Sequence, residues 1–368
     1  MNAKDSYAGI KVGEASTFGV SPATIQSFYK RNWNKRIALS DPGFYAWQFV
    51  NNPINSGIDE CVVALKGGTL CGVMGVNSRS FYLNGNRVNG AELTTWIVSE
   101  DVRGKGAGPG ILNYLLEKYD VLIGMGISRD ALPIYLRLGF KYLRSIPRYL
   151  RLFNPEGIAE YSVINALGIK LAKLRSAKIS SNPYTTLQID DGALDMVFHD
   201  FSKKYQLFDR GSVELRWRYT NHPVYRYESH LIVDKQSNKK AIVVTRHQEL
   251  PNEQVILRVM DIFGDDEALL PAAAFIDSYC IERKYALADF FCTTTKISSK
   301  LIAAGWFSAL DEEFFQFPHL FEPIELRAPS STSLVYWARH ELEKLADYST
   351  LYITKQDADL DRPVYVGD

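Results

Sequence analysis

Cysteine is scarce in this chain: four in 368 residues, at Cys61, Cys71, Cys280 and Cys292. No two stand in a C-x-x-C pair, which excludes a zinc ribbon and a disulfide framework and predicts free thiols in a reducing compartment. Net charge is also lacking. Lys+Arg and Asp+Glu each number 42, so the basic surplus of chains that bind nucleic acid is missing. No apolar run approaches the ~20 residues that cross a bilayer as a helix. The first residues, Met1 to Tyr7, carry no apolar stretch of a signal peptide, so the expected location is the cytoplasm. No metal site is expected.

What is present is ordinary core material, 46% hydrophobic residues, in a length that favours two domains. The most informative segment is Val98-Ser-Glu-Asp-Val-Arg103-Gly-Lys-Gly106-Ala-Gly108. A β-branched and aromatic run, Glu92–Val98, reads as a strand leading in. Ile111, Leu112, Tyr114, Leu115 and Leu116 then fall at helical spacing. Gly104, Gly106 and Gly108 allow close backbone approach, and a helix start turns its dipole and free N–H groups toward an anion. Arg103 and Lys105 add positive charge. Downstream, Ile127-Ser-Arg-Asp-Ala131-Leu-Pro-Ile-Tyr135-Leu-Arg-Leu-Gly139-Phe140 predicts a second helix, over 129–138.

The spacing Arg103, Gly106, Gly108, followed by Ala131-x-x-x-Tyr135 and Leu138-Gly-Phe140, resembles the two signatures of the GNAT acyltransferase superfamily. The spacings of a Rossmann loop and of a P-loop are both absent. The order of the remaining elements is similar: helices starting at Ser21-Pro22 and Asp41-Pro42, a hairpin around Gly67-Gly68, a turn at Asn84-Gly85, a short strand Val121–Gly124 and a strand over 140–152. The implied fold is α+β, with GNAT-like mixed sheets flanked by helices.

The second half repeats the first. Trp47-Gln-Phe-Val-Asn51-Asn-Pro53 returns as Trp217-Arg-Tyr-Thr-Asn221-His-Pro223, and similar elements follow in the same order. Where the glycine loop should return, the chain reads Phe263-Gly-Asp-Asp-Glu267, whose carboxylates repel a pyrophosphate. The expected organisation is therefore a coenzyme-binding domain over 1–152, a linker over 153–182 with a basic amphipathic helix within 159–178, a degenerate GNAT-like domain over 183–328, and a C-terminal helix (Ser333–Leu345) with an acidic tail over 329–368. The linker helix is expected to connect the domains; contact with an anionic membrane surface is the alternative.

The resemblance implies acyl-CoA, as acetyl-CoA or a longer thioester, bound by Arg103, Gly104, Lys105, Gly106, Ala107 and Gly108. The backbone of Ile97 and Val98 would hold the pantetheine arm and the thioester oxygen. Tyr135 would protonate the leaving thiolate, and Ser128 stands where many family members carry Asn. Glu92 is the candidate general base; period-2 geometry places it on one face with Thr94, Trp96 and Val98. Each has a plainer reading, as ladder backbone, packing tyrosine or solvated strand end. His222, Asp357, Asp359 and Asp361 are candidates for binding the acceptor.

The acceptor is expected to be a small-molecule amine. The size, neutral charge and Asp357-x-Asp359-x-Asp361-Arg-Pro ending resemble amino-sugar N-acyltransferases of surface-polysaccharide (including lipopolysaccharide) biosynthesis, implying a nucleotide-linked amino sugar. Another small amine, a protein amine, or a non-catalytic acyl-CoA sensor remain alternatives.

Overall fold

The computed structural model describes residues 9–33, 37–55, 57–175, 183–310, 314–358 and 361–363. Asp359 lies outside the described residues.

The first half contains strands β1 (Ile10–Glu14), β2 (Val62–Lys66), β3 (Thr69–Leu83), β4 (Asn86–Val98), β5 (Val121–Met125), β6 (Lys141–Leu143) and β7 (Arg148–Leu152), with helices α1 (Pro22–Asn32), α2 (Pro42–Tyr45), α3 (Ala107–Lys118) and α4 (Leu132–Arg137). Local chemistry sets the helix starts. Ser21 and Asp41 accept from the backbone N–H groups of Thr24 and Phe44, and a proline follows each at the first helical position. The linker holds β8 (Val163–Ile164) and α5 (Ala166–Arg175). The helix expected within 159–178 is thus shorter; Tyr161–Ile164 lies outside it, and 176–182 fall outside the described residues.

The second half follows the same order: β9 (Tyr184–Leu187), α6 (Asp191–Ser202), β10 (Leu207–Phe208), α7 (Ser212–Leu215), β11 (Glu228–Asp234), β12 (Lys240–Glu249), β13 (Val255–Gly264), α8 (Leu269–Arg283), β14 (Leu287–Phe291), α9 (Thr295–Ala303) and β15 (Phe307–Ser308). After it come β16 (Phe315–Gln316), β17 (Leu320–Phe321), β18 (Ile324–Glu325), β19 (Leu334–Ala338) and α10 (Leu342–Leu345). No described helix is long and apolar enough to cross a membrane.

The two main sheets share one plan. The first runs β1-β2-β3-β4-β5-β19-β6, with β10 added against β3; the second runs β9-β11-β12-β13-β14-β7-β15. Each sheet takes its sixth strand from the other part of the chain. β7 crosses into the second sheet between β14 and β15, and β19 returns to the first between β5 and β6. The sheets therefore do not follow sequence boundaries at 152 and 328.

This exchange corrects the expected C-terminal helix. Residues Leu334–Ala338 form a strand, and only Leu342–Leu345 is helical. Val335 packs into the core under α3, while Leu334, Tyr336 and Ala338 pack into a second cluster on the opposite face. A strand covered on both faces loses its period-2 alternation, so its apolar run does not distinguish strand from helix. The expected strand over 140–152 is likewise two strands in two different sheets.

Candidate active site

β4 pairs with β5 in parallel over Gly90–Leu93 and Val121–Gly124. Beyond Leu93 its strand pairing is with β3 alone, through Val98. The two parallel strands separate there, and the backbone of Thr94–Val98 borders a gap. The residues following β5 are fixed by the returning chain: Ser333 accepts through its carbonyl from Gly126 N–H and through its hydroxyl from Ile127 N–H, each at 3.0 Å.

The glycine loop closes the end of this gap. Gly104 and Gly106 have φ of +75° and +97°, which side chains rarely adopt. Gly108 serves differently: a Cβ there would lie 3.0 Å from the Trp96 indole, so glycine lets α3 settle on that ring. The start of α3 at Ala107 has no side-chain cap, and an uncapped helix start directs its first N–H groups and its positive dipole end outward, an arrangement suited to an anion. Arg103 folds back to donate to Val98 O at 3.2 Å, and Lys105 donates to Asp101 O at 2.7 Å. Both cations thus stay at the loop while remaining exposed.

Tyr135 lies on α4, 2% exposed, edge-on to Trp96 at 5.4 Å and to Phe140 at 5.0 Å between ring centroids. Burial alone pushes its phenol well above the usual range, so it is protonated at any physiological pH. Ser128 is exposed and accepts from Ala131 N–H at 3.2 Å, capping the turn into α4. That helix starts at Leu132, later than the expected 129.

Glu92 is 5% exposed and accepts from Asn77 Nδ2 at 3.0 Å. Its expected face is corrected. The register of β3 and β4 slips between Met74↔Trp96 and Val76↔Leu93, leaving Thr94 and Thr95 as a bulge opposite Gly75. A bulge reverses the alternation of side chains. Leu93, Trp96 and Val98 share the α3–α4 face, whereas Ile97 joins the α1–α2 cluster. Thr95 meets Arg362 Nη1 at 2.7 Å on that side. Glu92 opens onto this second face, where Phe44, Trp47, Gln48, Asn77, Trp217, Arg218, Asp361 and Arg362 line a small cavity with it. Glu92 and Tyr135 therefore stand on opposite faces of β4, with the backbone gap between them.

The acidic tail is buried. Asp357, fully enclosed, pairs with Arg79 at 3.1 Å and Arg210 at 2.5 Å. Asp361 accepts from Arg246 and from the Tyr227 hydroxyl, each at 2.5 Å. Both are engaged by the protein's own cations, and only Asp361 reaches the cavity beside Glu92. His222 is buried too. Its Nδ1 accepts from Val224 and Tyr225 N–H, and the ring lies 4.5 Å from Trp47, edge to face. Burial, then the Arg218 charge, lower its pKa to about 3.

The corresponding gap in the second half is filled. β13 leaves β14 after Arg258↔Asp289 and bulges at the matching place, where Met260 is the extra residue opposite the Val244–Thr245 step of β12. Ile262 there is the second residue past the bulge, as Ile97 is in β4. The Tyr352 phenol occupies the gap, accepting from Ile262 N–H at 3.1 Å and donating to Ile262 O at 2.6 Å. The same tail segment bridges Cys292 through Thr354. Asp265, Asp266 and Glu267 stand where the glycine loop would be.

Sequence reasoning missed Arg218, Arg362 and Asn77 around Glu92. Arg218 follows the repeated tryptophan and Arg362 follows Asp361, so only the first had a signal, its place in the duplicated motif.

Residues 25–143 match the family model described as "Acetyltransferase (GNAT) domain". Among curated proteins, none is significantly similar in sequence. Solved structures similar to this chain include a GCN5-related N-acetyltransferase from Anabaena variabilis, at 12% identity and TM-score 0.54, covering 89% of this chain and 72% of that one. Saccharomyces cerevisiae N-myristoyltransferase with bound myristoyl-CoA aligns at 10% identity and TM-score 0.50, covering 91% of this chain and 84% of its own. Over residues 25–143, then, the chain is similar to GNAT acetyltransferase domains.

Proposed function

We propose that this protein transfers an acyl group from acyl-CoA to the primary amine of a small acceptor by direct attack in a ternary complex. The observation that carries this reading is the contrast between the two gaps: the one bordered by Thr94–Val98 keeps its glycine loop, and its counterpart is filled by Tyr352. The chain is a tandem GNAT-like arrangement with one coenzyme site. Its second half and tail complete the acceptor side.

In this reading the loop 103–108 and the start of α3 hold the pyrophosphate. The backbone of Ile97 and Val98 lies along the pantetheine arm and donates to the thioester oxygen. The amine nitrogen attacks the thioester carbonyl from the Glu92 face. Glu92 takes the ammonium proton, directly or through one water. As the C–S bond breaks, Tyr135 gives its phenolic proton to the thiolate, and the second proton shed by the nitrogen as the amide forms restores the phenol by way of solvent. Placing acid and base on opposite faces of β4 lets two substrates meet at the gap. The acceptor we favour is a nucleotide-linked amino sugar, on the resemblance of the Asp-rich ending.

Purified protein, acetyl-CoA and a panel of amines, read by free thiol release, test this. Turnover confined to nucleotide-linked amino sugars is the expected result. Turnover only with other amines would replace the acceptor. Tight coenzyme binding without any turnover would replace the enzyme with an acyl-CoA sensor.

A further inference from the structure

Beyond Asp361 from Glu92 lies a second enclosed cavity, of about 20 Å³. Arg148, Arg258 and Lys355 line it with Asp289, His319, Thr332 and Asp361. All three cations are buried, at 2%, 6% and 3% exposure. They share a single carboxylate. Asp289 meets Arg148 Nη2 at 2.9 Å, Arg258 Nε at 3.1 Å and Lys355 Nζ at 2.5 Å. The other carboxylate, Asp361, is already held by Arg246. Arg148 and Arg258 are thus set against Asp289 here, with Asp361 bound from outside the cavity by Arg246, while burial pushes Lys355 well below the ordinary lysine range despite Asp289.

Buried charge of one sign persists only when it is compensated. Arg148 gives Nε to Asp289 at 3.0 Å and Nη1 to the carbonyls of Pro318 and Ser330 at 2.6 and 2.7 Å, while its Nη2 has no hydrogen-bond partner. Arg258 gives Nη1 to Gln248 at 3.3 Å. The Thr332 hydroxyl, 2% exposed, lines the cavity with no hydrogen-bond partner. Burial and the charges of Arg327, Arg148 and Arg258 together depress His319 to about 3, so it adds a neutral ring. Asp289 is held well below the carboxylate range, against the effect of burial, by Lys355, Arg258 and Arg148.

We infer that Arg258, Lys355 and Thr332 form a binding site for one oxyanion, the carboxylate or phosphoryl group of the acceptor. The volume suits the tip of such a group: a cavity of ~10–15 Å³ holds one water. Asp361 lines both this cavity and the one beside Glu92, so an acceptor with its anion here presents its amine toward β4. This assignment rests on the transferase reading for the ligand's identity, but the site itself is tested without turnover.

The thermal midpoint of the full-length protein is followed against inorganic phosphate and, separately, succinate, each at ionic strength matched with sodium chloride. Saturable stabilisation by one of the two is expected, and which one does so distinguishes a phosphoryl from a carboxylate ligand. Arg258→Met removes one surplus cation while Asp289 keeps Arg148 and Lys355. It should leave the anion-free midpoint equal or higher and weaken anion binding about ten-fold or more, the scale of a lost charge-assisted hydrogen bond. Thr332→Val should weaken binding by a smaller factor. No stabilisation beyond that of chloride, or stabilisation that survives Arg258→Met, as binding at the glycine loop would, overturns the assignment. Saturable anion binding lost in Arg258→Met but without acyl transfer would retain the site and discard the transferase reading.

Discussion

Trp47 and Trp217, separated by 170 residues, each donate an indole N–H to the other's backbone carbonyl, at 2.9 and 2.8 Å. Their rings stack at 5.6 Å with planes 26° apart. Reciprocal bonding of this kind requires a local two-fold relation between the segments. Both tryptophans sit in short π-helical turns, Ala46–Val50 and Arg216–Thr220, where α2 and α7 widen. The next residues match as well: Asn52 Oδ1 accepts from Ile54 N–H at 2.9 Å, and His222 Nδ1 from Val224 N–H at 3.2 Å. The repeated motif is the place where the two halves join.

Trp217→Phe keeps the ring packing and removes one of these bonds, leaving the Trp47 carbonyl buried and unpaired. The expected cost is about 1–3 kcal/mol of unfolding free energy, measured by urea denaturation. Trp47→Phe should cost a similar amount. Strict additivity of the two in the double variant would argue against a coupled pair.

Gly106→Ala forces a side chain into φ +97° at the start of α3, a strain of ~1–2 kcal/mol. The unfolding free energy should fall by about that much, and the dissociation constant for acetyl-CoA by calorimetry should rise about ten-fold. Unaltered affinity would remove the loop as the pyrophosphate cradle.

Glu92→Gln and Tyr135→Phe separate the two proton transfers. Each should lower kcat by about 10²-fold or more, the scale of a positioned acid or base, with acetyl-CoA affinity retained. The Glu92 variant should also lose the acid limb of the kcat/KM profile. An unchanged rate in either variant would return that residue to a packing role.

The folded protein's sensitivity to acid should reside partly in His222. Its pKa falls from 6.5 to about 3 on folding. Between those values the unfolded chain binds the extra proton, so stability is full above pH 6.5 and declines as pH drops, by up to ~1.4 kcal/mol per pH unit. His222→Asn, which supplies the acceptor that Asn52 provides in the first half, should flatten the decline. Denaturation curves at pH 7, 6, 5 and 4 with the same slope as the parent protein would contradict this.

Much of the coenzyme site was legible in the sequence because it is local. Gly104, Gly106, Gly108 and Tyr135 lie in two short segments whose turn and helix chemistry is written in adjacent residues. Glu92 was the right side chain to notice and was assigned the wrong face, because one bulge at Thr94–Thr95 inverts everything before it. Bulge positions depend on how β3 sits against β4, with Gly75 leaving room for Phe49 and Thr94. The tail was read as an acidic ending with candidate acceptor contacts, and its burial was not legible, because Asp357 and Asp361 find Arg79, Arg210 and Arg246 only in three dimensions.

The sequence by itself determined the α+β class, the glycine loop, the tyrosine helix and the duplicated tryptophan motif. Each rests on turn geometry, capping and periodicity within a few residues. Tertiary structure alone decided the exchange of β7 and β19, the filling of the second gap by Tyr352, and the burial of the tail between the sheets. These depend on burial on both faces and on charge pairs between residues as far apart as Arg79 and Asp357, and no local pattern encodes such partners.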